Sequence, residues 1–156
     1  MKKLLVILLT LILILGSIFC VPASAASVNV VTETTIEHLE NGDYIETVLT
    51  YEESPAKATN KVGSKTKNYK NSSGSTLWSV TVRCTFTYNG SVSACTSASY
   101  STTCPGTYWS IKSASASRSG NNGTATATAT YSPPSASSQN YSMSVSLSCS
   151  TYGELY

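Results

Sequence analysis

The chain has 156 residues, of which 12% are charged, with ten Lys and Arg against eight Asp and Glu. That length allows one domain and hardly two. A balance so close to neutral excludes the basic excess of a nucleic-acid binder. The single histidine, His38, and the lack of any Cys-x-x-Cys pair exclude an ordinary zinc site.

Residues 1–25 read as a secretory signal peptide. Met1-Lys2-Lys3 is a basic start, Leu4 to Leu15 is uncharged, and Ala23-Ser24-Ala25 puts small residues where a signal peptidase needs them. Cleavage is expected between Ala25 and Ala26. The apolar run is too short for the ~20 residues of a spanning helix. Phe19 before Cys20 departs from a lipobox, which needs a small residue there. The mature protein is therefore expected to be secreted, with no membrane span after cleavage.

Residues 26–53 form an acidic N-terminal segment. It carries Glu33, Glu37, Glu40, Asp43, Glu46, Glu52 and Glu53 with no Lys or Arg. Val28 to Glu53 reads as two strands around Asn41-Gly42, a dipeptide suited to the φ > 0 conformations of a tight hairpin. Ser54 to Asn68, rich in Lys, Thr and Asn, reads as a polar connection, and Asn71-Ser72-Ser73-Gly74 as a turn.

The clearest strand follows. Trp78, Val80, Val82, Cys84, Phe86 and Tyr88 alternate with Ser, Thr and Arg, which is one buried face and one solvated face. After Asn89-Gly90-Ser91 the next strand is expected to bury Val92, Ala94, Ala98 and Tyr100. That phase requires a three-residue loop with a glycine bulge. Tyr108 to Arg118 is a strand whose apolar phase shifts, because Trp109 and Ile111 are odd while Ala114 and Ala116 are even. A bulge near Ser113 reconciles them. Thr124 to Tyr131 places Ala125, Ala127, Ala129 and Tyr131 inward, and the last strand places Tyr141, Met143, Val145, Leu147 and Cys149 inward. Such strict alternation argues against a disordered Ser/Thr stalk.

The fold class is all-β, an antiparallel immunoglobulin-like sandwich over residues 54–156 preceded by the acidic hairpin. Its core is thin, since alanine fills many inward positions. Cys84, Cys95, Cys104 and Cys149 remain after cleavage, and an even number in a small exported domain implies disulfides. Side-chain parity puts Cys84 and Cys149 inward, favouring that pair with Cys95–Cys104 closing a short outer loop. Cys84–Cys95 needs a two-residue hairpin loop, which the apolar pattern disfavours.

Leu77 to Val82, Thr85 to Gly90, Ala94 to Ala98, Ser115 to Gly120 and Val145 to Ser150 together resemble a group of small secreted proteins of Gram-positive, gut-type bacteria. The resemblance covers most of the mature chain, including the acidic opening. It implies a signal peptide and a β-rich body, and no activity. It matches at Cys95 and Cys149 and departs at Cys84 and Cys104. It therefore favours Cys95–Cys149, with Cys84–Cys104 as an addition.

Residues 54–153 hold no Asp, Glu or His, so the body has no ordinary general base and the protein is not expected to be an enzyme. His38 and Glu40 read as a solvated strand edge. No cofactor, metal or catalytic residue is expected. A non-catalytic binding module for a cell-wall glycan or a surface protein fits best, and a secreted antimicrobial or toxin-like effector is the alternative. Candidate ring platforms are Tyr44, Tyr51, Tyr69, Tyr108 and Tyr152; most aromatics in β-proteins are packing.

Overall fold

The computed structural model describes residues 29–53 and 59–156; the expected signal peptide and its Ala25–Ala26 junction lie outside them. Eight antiparallel strands are present: β1 (Val30–His38), β2 (Tyr44–Glu52), β3 (Asn60–Lys70), β4 (Thr76–Tyr88), β5 (Ser93–Thr103), β6 (Trp109–Ser119), β7 (Asn122–Tyr131) and β8 (Gln139–Ser148). They form a five-stranded sheet, β1-β2-β3-β4-β5, and a three-stranded sheet, β6-β7-β8. The smaller sheet packs on β3, β4 and β5; β2 lies at the margin, with Leu49 buried in the core, and β1 lies beyond that cover. Both sheets are meanders in which sequence neighbours are spatial neighbours. An immunoglobulin-like fold has Greek-key order instead.

The core lies where β4, β7 and β8 face each other. Trp78, Val80, Val82, Cys84 and Phe86 of β4 are 0–1% exposed, and they meet Ala125, Ala127 and Ala129 of β7 and Val145 and Leu147 of β8. The small alanines let the central strands approach, and the larger side chains of β4 and β8 fill the space between sheets. Trp78 Nε1 has no partner among the described residues, a cost carried by burying the indole.

The outer faces account for the serine and threonine content. Hydroxyls pair across strands as Thr66 with Thr81 at 2.8 Å, Ser79 with Thr103 at 2.7 Å, Thr124 with Ser146 at 2.8 Å and Thr128 with Ser142 at 2.8 Å. Such cross-strand pairs stabilise a sheet by tenths of a kcal/mol up to ~1 each.

Three local expectations change. The segment read as a polar connection contains β3, which is hydrogen-bonded to both β2 and β4. Its odd residues share the core face of β4, so Lys61, Lys65 and Lys67 lie beside Phe86, Val82 and Val80. Their aliphatic stems cover the margin of the core while the ammonium groups reach water. The β1–β2 ladder thus runs directly into the body through β3, and Glu46 Oε2 and Lys70 Nζ form an ion pair of 2.9 Å across β2 and β3.

The β4–β5 connection is the second change. Tyr88 pairs with Ser93, so the loop is Asn89 to Val92, four residues rather than three. Asn89 Oδ1 accepts from the amides of Ser91 and Val92 at 3.0 and 2.9 Å, which closes this longer turn. The strand then shifts register between Phe86↔Cys95 and Thr85↔Ser97. Cys95 consequently points inward at 2% exposure and Val92, expected inside, is a loop residue 62% exposed; Tyr100 keeps the core face opposite Val82 but is 49% exposed on the edge strand. The bulge expected near Ser113 is present, between Ile111 and Ser113.

Third, the cysteines are free thiols, and none stands at disulfide distance from another. Residues 95–104 are not a loop but almost the whole of β5. At ~3.3 Å per residue, Cys95 and Cys104 are ~30 Å apart, beyond the few ångströms a disulfide spans. Cys84 lies opposite Ala98, six residues before Cys104, a separation of ~20 Å along the strand. Cys104 therefore pairs with neither, and both four-cysteine arrangements are corrected.

Candidate functional site

At one end of the sandwich, three loops border a cleft of ≈ 590 Å³. The β1–β2 turn contributes Asn41 and Asp43, the β3–β4 turn Asn71 and Ser75, and the β5–β6 loop Pro105, Gly106 and Thr107. The wall is aromatic: Tyr69 ends β3, Trp109 begins β6, Tyr131 ends β7 and Tyr141 lies near the start of β8.

Each loop is held by its own sequence. Asn41 Oδ1 accepts from the Asp43 amide at 3.1 Å, and Leu39 N donates to Asp43 O at 2.9 Å. Asn71 Oδ1 accepts from the amides of Ser73 and Ser75 at 3.2 and 2.9 Å. These are side-chain turns that asparagine makes readily. The third loop rests on β4. Gly106 N donates to Leu77 O at 2.9 Å, and a Cβ at Gly106 would lie only 2.8 Å from both Leu77 O and Trp109 Cδ1. The missing side chain is what lets the loop settle there and the indole lie against it.

Trp109 is the hub of the ring cluster. Its ring lies 4.9 Å from Tyr141, 5.1 Å from Tyr131 and 5.6 Å from Tyr69, all tilted. Such tilted contacts stabilise aromatic pairs beyond their area burial. The rings are joined to the one charge in the lining. Tyr69 donates to Asp43 Oδ2 at 2.9 Å, and Asn41 Nδ2 donates to the same oxygen at 2.9 Å. Burial raises the Tyr69 phenol above its ordinary value of 10.0, and the Asp43 carboxylate adds to the rise. Asp43 is the only carboxylate lining the cleft, which contains no Lys, Arg or His.

Chemically, the lining offers aromatic faces, side-chain amides, hydroxyls and a single carboxylate. Acid–base cleavage of a glycoside uses two carboxylates on opposite sides of the bond, and the cleft supplies one. No group of three or more metal-ligating side chains occurs among the described residues.

The residues singled out in the sequence lie elsewhere for the most part. His38 is exposed at the end of β1 with its ring 5.8 Å from Tyr44. Tyr51 lies under the Lys61 ammonium, 4.3 Å from the ring centroid. Tyr108 and Tyr152 are exposed, outside the cleft lining. Of the five candidate platforms, Tyr69 alone lines the cleft. Trp109, Tyr131 and Tyr141 were read as inward positions; all three are half-buried near strand ends, and Trp109 and Tyr141 pack against the core.

Cys84, Cys95 and Cys149 cluster at the opposite end, in the core. A Cβ on Gly123 would run into Cys84 Sγ and lie 3.3 Å from Cys95 Sγ, so both sulfurs sit against one point of β7. Burial and then the neighbouring Cys95 thiol push the Cys84 thiol up to about 12. Burial also raises Cys149, where the Ser93 hydroxyl and the Lys61 charge oppose it and Cys95 adds to it. Cys95 is therefore the shared neighbour of the other two. Its thiol donates to Ser97 O at 3.3 Å, and that of Cys149 to Ser150 O at 3.4 Å. Half-buried Cys104 stands apart, with its thiol raised by burial alone.

Comparison with known proteins finds no matching family model, curated protein or solved structure.

Proposed function

We propose that this protein is an exported, non-catalytic binding module that holds its ligand in the aromatic cleft at the three-loop end of the sandwich. The observation that carries the reading is the cleft itself. Its ≈ 590 Å³ falls within the ~300–1,000 Å³ of small-ligand sites, and its lining combines rings with a few convergent polar groups. Loops grouped at one end of a rigid sandwich are a common way to build recognition surfaces. Export rests on the leader-like residues 1–25, and the absence of any Asp, Glu or His from residues 54–153 supports a role without catalysis.

The ligand of this reading is presented outside the cell, as part of a cell-wall glycan or surface protein. The test has two parts. N-terminal sequencing of protein recovered from culture medium is expected to begin at Ala26. Purified protein is expected to sediment with insoluble cell wall, and Trp109→Ala to abolish this while circular dichroism stays unchanged. Sedimentation that survives Trp109→Ala overturns the cleft as the site.

A further inference from the structure

The polar side of the cleft narrows the class of ligand, an inference that rests on the binding reading above. Both intramolecular hydrogen bonds to the Asp43 carboxylate, from Asn41 and from Tyr69, arrive on Oδ2. Among the described residues, Oδ1 receives no donor, and the lining supplies no cation to neutralise the group. The nearest ion pair, Lys70 with Glu46, uses side chains of the outer sheet face and lies outside the lining. The cleft thus offers a carboxylate oxygen that is oriented, charged and unoccupied by protein donors, opposite an aromatic wall centred on Trp109.

We infer that the cleft takes a hexopyranose unit of a neutral or amine-bearing glycan, its ring against Trp109 and a hydroxyl or ammonium donor on Asp43 Oδ1. A pyranose has the two faces required: an apolar face of C–H groups that packs on aromatic rings, and an equatorial rim of donors. Hydrogen bonds to a charged group are about twice as strong as neutral ones, which makes the carboxylate the orienting contact. An anionic ligand such as a uronate or a phosphodiester polymer would be placed beside a like charge with nothing to compensate it. Such a juxtaposition disfavours the wrong partner. Asn71 adds a donor for a ring hydroxyl through Nδ2, since its Oδ1 already accepts from Ser73 and Ser75.

The experiment is a titration of the purified full-length mature protein, read by tryptophan fluorescence and calorimetry. Four probes are used: tetramers of N-acetylglucosamine, glucosamine and galacturonic acid, and polyglycerol phosphate. Binding is expected for the first or second and absent for the last two. Asp43→Asn keeps the shape of the side chain and is expected to weaken binding by about tenfold or more, the fold-change of losing a hydrogen bond to a charged group. A loss confined to the glucosamine tetramer identifies the ammonium as the donor; a loss shared by both identifies a hydroxyl. Tighter binding of galacturonate or polyglycerol phosphate, sensitive to Trp109→Ala, overturns the ligand class and leaves the cleft as the site. Binding insensitive to both variants overturns the site as well. Binding to none of the four overturns the sugar inference alone, because the cell-wall sedimentation test is independent of it.

Discussion

Gly123 is the point where the middle strand of the small sheet touches the thiol cluster, and Gly123→Ala tests how tightly the two sheets are joined there. Its φ is not in the left-handed region, so alanine fits the backbone. In open space the change would stabilise by about 0.4–1 kcal/mol through the unfolded chain. Here the new methyl would run into Cys84 Sγ and stand 3.2 Å from Ala98 Cβ and 3.3 Å from Cys95 Sγ, with both cysteines in the buried core and Ala98 packed against it. Overpacking of this kind costs about 1–3 kcal/mol. The net expectation is a loss of up to about 2.6 kcal/mol, at roughly 4 °C in Tm for each kcal/mol lost. Cys84→Ala alone is expected to cost about 1 kcal/mol, the scale of deleting one methyl-sized buried group. Combined, the changes are expected to compensate, because the new methyl occupies the place of the removed sulfur. Urea unfolding under reducing conditions, followed by tryptophan fluorescence, gives the four corners of the cycle. A Gly123→Ala protein more stable than the wild type, or a double variant no better than the sum of the singles, would refute the packing described for this face.

Under oxidising conditions, non-reducing peptide mapping is expected to leave Cys104 unpaired and to find Cys95 in any core disulfide, since Cys95 neighbours both other buried thiols; a Cys84–Cys104 or Cys95–Cys104 peptide would contradict the strand geometry. In the reduced native protein, iodoacetamide is expected to modify half-buried Cys104 first and Cys84 only on unfolding, because burial suppresses the Cys84 thiolate. The raised Tyr69 phenol contributes stability that is present below its ordinary value of 10.0 and is lost as pH rises through its folded value. Tyr69→Phe should flatten that alkaline limb in thermal melts. The hydrogen bond from Lys70 and, less so, that from Asn68 hold the Glu46 carboxyl below its ordinary 4.5. Its contribution is present above 4.5 and lost as pH falls through the lowered value. Glu46→Gln should remove that acid dependence at a cost within the ~0–1 kcal/mol of a surface pair.

Strands with apolar residues at every second position were legible without coordinates. β4, β7 and β8 have their inward sets as read, and the phase change in β6 located its bulge, because a period of two makes any slip visible. β3 was not legible, since four of its five inward positions are Lys61, Gly63, Lys65 and Lys67, and Tyr69 alone is a buried ring. Half-buried lysines at a sheet margin carry the same letters as a solvated loop. The inward turn of Cys95 was hidden for a related reason. The four-residue loop displaced the phase and the bulge after Phe86↔Cys95 restored it at Ala98, and neither carries a side-chain signature strong enough to read. For the cleft, the aromatic strand-end positions could be read as buried, but not that they converge. Asp43 was set aside with the other acids as one charged stretch, and only the path of the chain shows that the tip of β1–β2 reaches the rings of β6 and β8.

That path ties recognition to the least anchored part of the protein. β1 is an edge strand with eight of its nine residues exposed, and it lies beyond the cover of the small sheet. Strands of this kind open locally at a free energy well below that of global unfolding. The tip that joins β1 to β2 nevertheless supplies the cleft with its charge. A bound ligand would therefore slow amide exchange in β1 and β2 far more than in β4 or β7, even though it touches only their tip. By the same reciprocity, a substitution that frays β1 would weaken binding from a distance.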